Sequence, residues 1–425
     1  MNAIVKPHPV DSVHAMTPSS AVARLLRRRL VAQMTPLRQG RLVLRDALGR
    51  VELGTPAAEH PDIVVHVDIL DMAFYRAVAA NGSVGAGEAY MEGLWRCDNL
   101  VGLIQLLVRN RDLLDGMETG LARLGGMAMR AWNALRGNTR GGSRRNVAAH
   151  YDLSNDFFKL FLSADLMYSS AIWEGADDTL EAASTRKLDR ICRKLDLRPS
   201  DRVVEIGTGW GGFALYAAKH YGCHVTTATI SREQHALASE RIAAAGMSAQ
   251  VTLLMDDYRD LCGQYDKLVS IEMIEAVGAP YLDTYFGQLG RLLKPAGLAL
   301  VQAITIEDHR YAQAQKSVDF IKRHVFPGSF IPSINALIAA KTRSSDLSLV
   351  HLEDFGESYA LTLRAWRERF MARLEQVRAK DFGEHFIRLW EFYLAYCDGA
   401  FRERSIGVAQ LVLAKPKHRG SAKRE

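Results

Sequence analysis

The chain has 425 residues, more than one hydrophobic core usually organises, so a single small module is excluded. Hydrophobic residues make up 48% and charged residues 24%, a composition that excludes a largely disordered chain. Lys and Arg outnumber Asp and Glu by 54 to 48, and the excess lies in three segments that suit an anionic surface, either membrane phospholipid or nucleic acid. Solubilising chain ends are the alternative interpretation. The cations of these segments are Arg24, Arg27, Arg28 and Arg29; Arg130, Arg136, Arg140, Arg144 and Arg145; and Lys415, Lys417, Arg419, Lys423 and Arg424.

The cysteines Cys97, Cys192, Cys223, Cys262 and Cys397 are scattered and include no CxxC pair. The sequence therefore predicts neither a disulfide framework nor a metal site. The opening MNAIVKPHPVDSVHAM lacks the apolar core of a signal peptide, and no run of about 18 apolar residues is present to span a bilayer. We expect a cytoplasmic protein whose membrane contact is peripheral, at the inner face.

The first part of the chain is interpreted as a smaller α+β domain over residues 20–115. Residues 41–67 alternate in the manner of short strands, and residues 72–110 have a helical pattern. Closely spaced glycines in NGSVGAGEAYMEGLW are expected to interrupt that helical pattern. Residues 116–145 are rich in Gly and Arg, which predicts a basic, flexible linker, and residues 415–425 form a basic tail.

Residues 146–414 show strands alternating with helices, which predicts an α/β fold with a parallel sheet covered by helices. Residues 305–405 break the alternation, and their composition predicts a mostly helical insertion before a last strand. An additional strand at Ser348–Asp354 is expected to pair with that last strand. The predicted strands are Arg202–Ile206, Cys223–Thr229, Gln250–Met255, Asp266–Ile271, Gly297–Ile304 and Val408–Ala414, and the predicted helices between them are Phe213–Tyr221, Ser231–Ala245 and Tyr281–Leu293.

The strongest local motif is VVEIGTGWGGFALYAA, an apolar strand that runs into a glycine loop and then a helix. Gly207, Gly209 and Gly212 satisfy G-x-G-x-x-G, which lets backbone N–H groups approach a ligand at a helix N-terminus. A dinucleotide site would need an acidic residue at the end of the second strand, where this chain has Thr229-Ile230-Ser231. Glu205 is placed instead to meet the ammonium of an amino-acid ligand. The motif therefore favours S-adenosylmethionine (SAM) over NAD or FAD, with a glycine turn that only packs helix on strand as the structural alternative.

A second loop, MDDYRD, follows the third predicted strand at the same edge of the sheet. Asp257 in this loop is placed to accept a hydrogen bond from an adenine amino group, with Tyr258 beside it. A plain surface turn is the alternative. Because open α/β sheets bind ligands at the carboxyl ends of their strands, the two loops support each other.

Eight segments between residues 146 and 414 carry a family resemblance: NVAAHYDLSNDFFKLFLSADLMYSSAIW, VVEIGTGWGGFALYAA, ATISREQ, DDYRDL, DKLVSIEMIEAVG, YFGQLGRLLKPAG, FGESYALTLRAW and YLAYCDGAFRER. In unbroken order they resemble the cyclopropane-fatty-acyl-phospholipid synthases and the related mycolic acid cyclopropane synthases and methyltransferases. The N-terminal GSVGAGEAYMEGLWRCDNL is similar to the smaller domain of the bacterial phospholipid enzymes. The resemblance implies a Rossmann-like SAM-dependent methyltransferase domain whose helical insertion forms an acyl tunnel. It also implies reaction at the cis double bond of an unsaturated acyl chain in membrane phospholipid.

Carried over by motif, the resemblance implies a SAM site assembled from four segments. The first segment lines the pocket, the glycine loop holds the methionine part, the end of the second strand takes the ribose, and the second loop borders the adenine. These residues are Tyr168 and Ser169; Glu205, Gly207, Thr208, Gly209 and Gly211; Thr229, Ser231 and Gln234; and Asp257 with Tyr258.

In this family the base that closes the cyclopropane ring is thought to be a bound bicarbonate, held by a cysteine, a glutamate, a histidine and a tyrosine. Glu275 and Tyr359 match two of these ligands, whereas Ser170 stands at the cysteine position and Gln302 at the histidine position. Ser and Gln still donate hydrogen bonds to an anion, so bicarbonate stays open as a cofactor. Cys397 matches a cysteine often assigned to the family's active site, with a packing role as the alternative.

The altered anion site weakens the case for ring closure more than the case for methyl transfer. An alkene attacking a sulfonium methyl needs orientation and stabilisation of a developing cation, which aromatic faces supply. If no base removes a proton from the transferred methyl, loss of a proton from a neighbouring chain carbon leaves a methyl-branched alkene. The aromatic candidates, most of which are equally suited to a core, are Tyr168, Trp173, Phe320, Phe326, Phe330, Tyr359, Trp390, Tyr393 and Tyr396.

The sequence leaves two other functions open, a methyltransferase for a polar small molecule and a lipid-binding protein with a residual SAM site. For the favoured interpretation, the expected partners are unsaturated phospholipid acyl chains and an anionic membrane surface. No nucleic acid is expected, and a homodimer is left open.

Overall fold

The structure is a computed structural model that describes residues 20–56, 62–115, 138–139, 142, 154–175 and 177–420. Within these residues the chain forms two sheets, one in an N-terminal unit (residues 20–115) and one in a C-terminal unit (residues 154–420). The N-terminal unit contains α1 (Ala21–Met34), β1 (Gly40–Asp46), β2 (Gly49–Thr55), β3 (Val64–Ile69), α2 (Phe74–Met91), β4 (Trp95–Cys97), α3 (Leu100–Arg109) and α4 (Arg111–Asp115).

The N-terminal sheet has the strand order β2-β1-β3-β4, with β1 parallel to β3 and antiparallel to β2. A buried ion pair fastens α1 to this sheet, because Arg27 Nε lies 2.5 Å from Asp46 Oδ2. The hydroxyl of Tyr75 donates to the same oxygen. Arg27 therefore points into the protein, unlike the exposed Arg24 and Arg28.

The helical pattern is interrupted within the glycine segment, as predicted, at its first glycine. Helix α2 runs from Phe74 to Met91, but Gly82 has non-helical backbone angles, φ 56° and ψ −130°, at a kink that separates two helical parts. Gly87, beyond the kink, serves packing. A Cβ on Gly87 would lie 2.4 Å from the Phe320 ring, so this glycine lets α2 approach the C-terminal unit closely.

The larger sheet has the order β10-β11-β9-β8-β5-β6-β7, and its strands β5 to β9 are parallel where they pair. This arrangement confirms the predicted parallel sheet, and β10 pairs with the antiparallel last strand β11, as expected. The strands are β5 (Arg202–Ile206), β6 (His224–Ala228), β7 (Val251–Leu254), β8 (Tyr265–Ile271), β9 (Leu293–Ile306), β10 (Ser348–Asp354) and β11 (Ile406–Ala414).

Helices cover both faces of this sheet and form most of the predicted insertion after β9. A π-helical turn, Ile321–Val325, lies within the insertion. The helices of the C-terminal unit are α5 (Asn155–Phe158), α6 (Leu180–Lys194), α7 (Gly212–Tyr221), α8 (Arg232–Ala244), α9 (Leu282–Leu292), α10 (Asp308–Lys316), α11 (Ile334–Ser344), α12 (Gly356–Met371), α13 (Leu374–Arg378) and α14 (Glu384–Arg402).

One hydrophobic core extends through both units, so the smaller domain does not stand apart from the larger one. Helix α14 is central to this core, because it packs against α12 on one side and against α2 and α3 on the other. A Cβ on Gly399 of α14 would lie 2.7 Å from Ile104 Cβ on α3, which shows how closely these helices approach.

Most of the predicted linker, residues 116–145, lies outside the described residues, as does the end of the basic tail. Asn138 is the informative exception, because it is buried and its Nδ2 donates to the Gly328 carbonyl at 2.7 Å. This point of the segment therefore packs against the C-terminal unit. None of the helices in the described part of the chain is long and apolar enough to cross a membrane.

We expect Gly399→Val to separate α14 from α3, since overpacking a close helix contact costs about 1–3 kcal/mol. The measurable results are a lower melting temperature and faster proteolytic release of the N-terminal unit. Gly383→Val is the matched control, because Gly383 begins the same helix and a Cβ there meets no described atom within 4 Å. Equal melting temperatures for the two variants would contradict the role assigned to this contact.

Candidate active site

The glycine loop lies at the carboxyl end of β5 and leads into α7. Gly207, Gly209 and Gly211 have φ values of 96°, 53° and 84°, which favour glycine at each position. A Cβ on Gly209 would meet no described atom within 4 Å, so the loop faces open space there. The backbone N–H groups of such a loop, next to a helix N-terminus, are accessible to a ligand. This arrangement fits the methionine part of SAM.

Glu205 lies beneath this loop and is 2% exposed. Its Oε2 accepts a hydrogen bond from Thr227 Oγ1 at 2.6 Å, and Thr227 Oγ1 lies 2.7 Å from Thr208 Oγ1. Burial raises the pKa of Glu205 to about 8, so an arriving ammonium would favour its ionised form. Glu205 remains our proposed partner for the amino group of SAM.

The predicted ribose residues form a compact group at the end of β6. Thr229 Oγ1 donates to Gln234 Oε1 at 3.0 Å, and Ser231 caps α8 by accepting from the Gln234 backbone N–H. All three residues are buried, which fixes their orientation. They remain our proposal for the ribose contacts.

Asp257 and Tyr258 follow β7 at the neighbouring position of the same edge. Both carboxylate oxygens of Asp257 accept hydrogen bonds from the Arg259 guanidinium, at 2.8 Å and 2.6 Å. Arg259 also lies over the Tyr258 ring, 5.5 Å from its centroid. The sequence did not indicate this clamp, which fixes the loop where we propose that adenine binds.

A cavity of about 1240 Å³ reaches the carboxyl ends of β8 and β9 and continues into the N-terminal unit. Its wall is mostly apolar, as an acyl tunnel requires, but the helical insertion forms only part of it. Three of the aromatic candidates, Trp173, Phe320 and Trp390, are not part of the wall. The candidates that line it are Tyr168, Phe326, Phe330, Tyr359, Tyr393 and Tyr396.

The predicted anion site contains a carboxylate of the protein itself. Glu272 Oε1 accepts hydrogen bonds from the Ser170 backbone N–H at 2.9 Å and from Gln302 Nε2 at 2.8 Å. Glu272 Oε2 accepts from the Tyr359 hydroxyl at 2.8 Å. Because these donors already bind Glu272, the residues do not fit a bound bicarbonate in the predicted site.

The Ser170 side chain does not face the anion, which corrects its predicted role. Its hydroxyl donates to the Ala171 carbonyl at 2.9 Å, and only its backbone N–H reaches Glu272. The amide of Gln302 is oriented by Gln410, whose Nε2 donates to Gln302 Oε1 at 3.0 Å. Gln302 therefore presents its N–H group to Glu272.

The backbone of Glu272 is strained, with a φ of 47° in the left-handed region. Such strain persists where the surroundings hold a residue in place and where the position has a function. Burial raises the pKa of Glu272, whereas its three hydrogen bonds oppose that increase.

Glu275 lies near Glu272 but accepts no hydrogen bond from the three donors that bind Glu272. Its Oε1 accepts from the Ile304 backbone N–H at 2.6 Å, and its Oε2 is buried without a hydrogen-bond partner among the described residues. Burial and the neighbouring Glu272 charge raise the pKa of Glu275 to about 8, which favours its protonated form. Cys397 also lines the cavity, and burial raises the pKa of its thiol far above the ordinary value. The Cys397 thiol is therefore neutral, which suits a residue that packs in the apolar wall of the cavity.

Lys187 on α6 is fully buried and was not among the predicted site residues. Its Nζ donates to Ser169 Oγ at 2.7 Å, and the nearby charges of Asp165, Glu272 and Glu205 favour the ammonium form. Burial outweighs these charges and lowers the pKa of Lys187 to about 8. Glu272 was also not predicted, although its position in the sequence indicates a site residue. It directly follows the apolar strand β8 and lies three residues before Glu275.

The chain is similar to known proteins over most of its length. The family model described as mycolic acid cyclopropane synthetase matches residues 139–411. Tuberculostearic acid methyltransferase UfaA1 of Mycobacterium tuberculosis is 36% identical over 404 residues, which cover 93% of this chain and 92% of that protein. Cyclopropane-fatty-acyl-phospholipid synthase of Escherichia coli is 37% identical over 350 residues, 82% of this chain and 87% of that protein. The crystal structure of mycolic acid cyclopropane synthase CmaA1 complexed with SAH and CTAB matches with a TM-score of 0.60 and 30% identity, covering 64% of this chain and 98% of that one.

We expect Gly209→Val to weaken SAM binding by about 100-fold or more, equivalent to roughly 2.7 kcal/mol, because the side chain would enter the space into which the glycine opens. Isothermal titration calorimetry measures this change. Gly246→Val is the control, since Gly246 has a similar φ of 68° and an equally open Cβ position. If both variants bind SAM as the wild type does, the cofactor does not approach this loop.

Proposed function

This chain belongs to the mycolic acid cyclopropane synthetase family, and we propose that its product is nevertheless a methyl-branched unsaturated acyl chain. The chain is a SAM-dependent methyltransferase that modifies unsaturated fatty-acyl chains. The choice of product rests on the hydrogen bonds of Glu272. Its carboxylate accepts from the three donors that a bicarbonate would need.

SAM supplies an electrophilic methyl group. When an alkene carbon takes that methyl, a carbon–carbon bond forms, the carbon–sulfur bond breaks, and positive charge appears on the other alkene carbon. Aromatic side chains in the wall, among them Tyr168 and Tyr359, can stabilise this charge through their ring faces. Glu272 adds a negative charge that three donors hold in a fixed position.

The same carboxylate is our candidate for the base. Burial raises the pKa of Glu272, which makes it a stronger base than an exposed glutamate. Ring closure would instead need a base positioned at the transferred methyl. We therefore assign to Glu272 the removal of a proton from a chain carbon beside the cation, which forms a new double bond and leaves the methyl branch.

The phospholipid form of the substrate is also part of the proposal. A relative that is 37% identical carries the name of a phospholipid enzyme. The outer face of α1 supports contact with a lipid surface, because Val22 and Leu25 are 54% and 50% exposed beside Arg24 and Arg28. Exposed apolar and cationic side chains on one helix are typical of peripheral binding to an anionic membrane. A polar small-molecule substrate suits the mostly apolar cavity less well.

We expect wild-type protein to convert oleoyl phospholipid to a methylated alkene without added bicarbonate. Gas chromatography with mass spectrometry detects a gain of 14 mass units, and hydrogenation then distinguishes an alkene from a ring. Exclusive formation of cyclopropane, strongly stimulated by bicarbonate, would contradict the proposal.

Two substitutions at Glu272 sharpen this test. Glu272→Gln keeps the shape but removes the base, so we expect a rate loss of about 100-fold or more that bicarbonate does not restore. Glu272→Gly removes the carboxylate and accepts the φ of 47° without strain, which leaves three donors free for an anion. Added bicarbonate should partly restore this variant and shift its product toward cyclopropane, and Ser170→Cys with Gln302→His should strengthen that shift. Identical bicarbonate responses of the Gln and Gly variants would exclude an anion-binding role for these donors.

We expect Arg24→Gln with Arg28→Gln to weaken binding to anionic vesicles by about 30-fold, since each well-placed cation contributes about 1 kcal/mol. Sedimentation with phosphatidylglycerol vesicles at low and high salt measures the change. The double variant Lys219→Gln with Arg232→Gln is the control, because it removes the same charge from exposed positions on α7 and α8. Equal loss for both pairs would show that net charge matters and α1 does not.

A further inference from the structure

The cavity is larger than one acyl chain requires. A methylene group takes roughly the 30 Å³ that a water molecule takes in the liquid, so an 18-carbon chain needs roughly 540 Å³. The cavity measures about 1240 Å³, which exceeds the requirement of two such chains. The volume that one chain leaves is therefore large enough for a second chain of the same length.

The wall divides into two regions. The catalytic region contains Glu272 and Tyr359 together with side chains of α12, α14 and the π-helical turn. The N-terminal region is formed by side chains of α1, α2, α3 and the sheet strands β1 and β3. Its residues include Leu30, Leu42, Leu44, Val67, Val78 and Leu107.

The side chains that form the N-terminal region are mostly apolar. Leu42, Leu44 and Val67 are each at most 5% exposed, and Val78 and Leu107 are half-buried. Tyr75 brings a hydroxyl to this wall, but that hydroxyl donates to Asp46 at 2.5 Å. An apolar space without a reacting group suits a saturated or bystander chain.

The exposed part of the wall places the entrance between the two units. Arg29 and Gln33 on α1, and Gln313 and Lys316 on α10, line the cavity and are exposed. Cations on both sides of an opening suit the phosphate of a lipid head group.

We propose that the cavity takes both acyl chains of one diacyl phospholipid, the reacting chain in the catalytic region and the second chain in the N-terminal region. This inference rests on the proposed phospholipid substrate. The head group lies at the entrance between α1 and α10, and the N-terminal unit contributes a binding site for the chain that does not react. The N-terminal region thereby favours diacyl over monoacyl lipid.

Native mass spectrometry of delipidated protein with oleate as the probe tests the number of chain sites without requiring catalysis. We expect two oleates per wild-type chain and one for Val78→Trp or Leu107→Trp, which fill the N-terminal region. Ala80→Trp is the control, because Ala80 is exposed on α2 and is not part of the wall, and it should bind two. One oleate per wild-type chain, or two in both filling variants that remain folded by circular dichroism, would overturn the inference.

Kinetics separate this inference from the proposed function. The ratio of kcat/KM for dioleoyl phosphatidylglycerol to kcat/KM for its monooleoyl lyso form should fall by about tenfold or more in the filling variants, the equivalent of about two buried methylenes. A ratio unchanged from wild type would overturn the two-chain site while leaving the phospholipid reaction intact. Failure of the wild type to methylate either lipid would instead remove the proposed substrate, and the oleate count would still decide whether two chains fit.

Discussion

The site has to stabilise positive charge inside an apolar interior, and much of its structure follows from that constraint. Buried carboxylates are costly unless a cation or hydrogen bonds accompany them. Glu272 receives three donors, Glu205 receives Thr227, and Lys187 adds an ammonium near both. The sulfonium of SAM and the cation on the acyl chain complete this balance when they are present. The carboxylates are therefore arranged for charge that the reaction brings.

Helix α14 connects this charge arrangement to the rest of the molecule. One of its faces brings Tyr393, Tyr396 and Cys397 to the cavity, and another packs against α2 and α3. Tyr393 also meets Tyr168, with their hydroxyl oxygens 2.9 Å apart. A shift of this helix would move the cavity wall and the joint between the two units together. The same helix thus makes the N-terminal unit part of the substrate cavity.

The sequence predicted the larger sheet well, because most of its strands are apolar segments bounded by glycine, proline or charged residues, although β9 extends beyond the predicted Gly297–Ile304 at both ends. Arg202–Ile206 and Ser348–Asp354 were predicted with the observed bounds. The glycine loop was recognisable for the same local reason. The interruption of α2 at Gly82 was predicted for the same reason, whereas the close contact of Gly87 with Phe320 was not, since Phe320 lies in a distant part of the chain.

The centre of the site could not be derived from local patterns. Ser170, Gln302 and Tyr359 come from three segments, and only the folded chain shows that all of them donate to Glu272. The resemblance predicted anion ligands at Glu275 and at the Ser170 hydroxyl. In the structure the hydrogen-bond donors bind Glu272 instead, and Ser170 donates through its backbone N–H. Lys187 escaped notice because a lysine in an amphipathic helix normally faces solvent.

Helix α10 differs from the other walls of the cavity in how firmly it is held. None of its residues is buried, although it borders the space that extends to the active site. A nine-residue helix with so little core contact unfolds locally at far lower free energy than the sheet or α14. We therefore expect its amide hydrogens to exchange with solvent before those of the sheet or α14, because this side of the cavity can open locally without global unfolding.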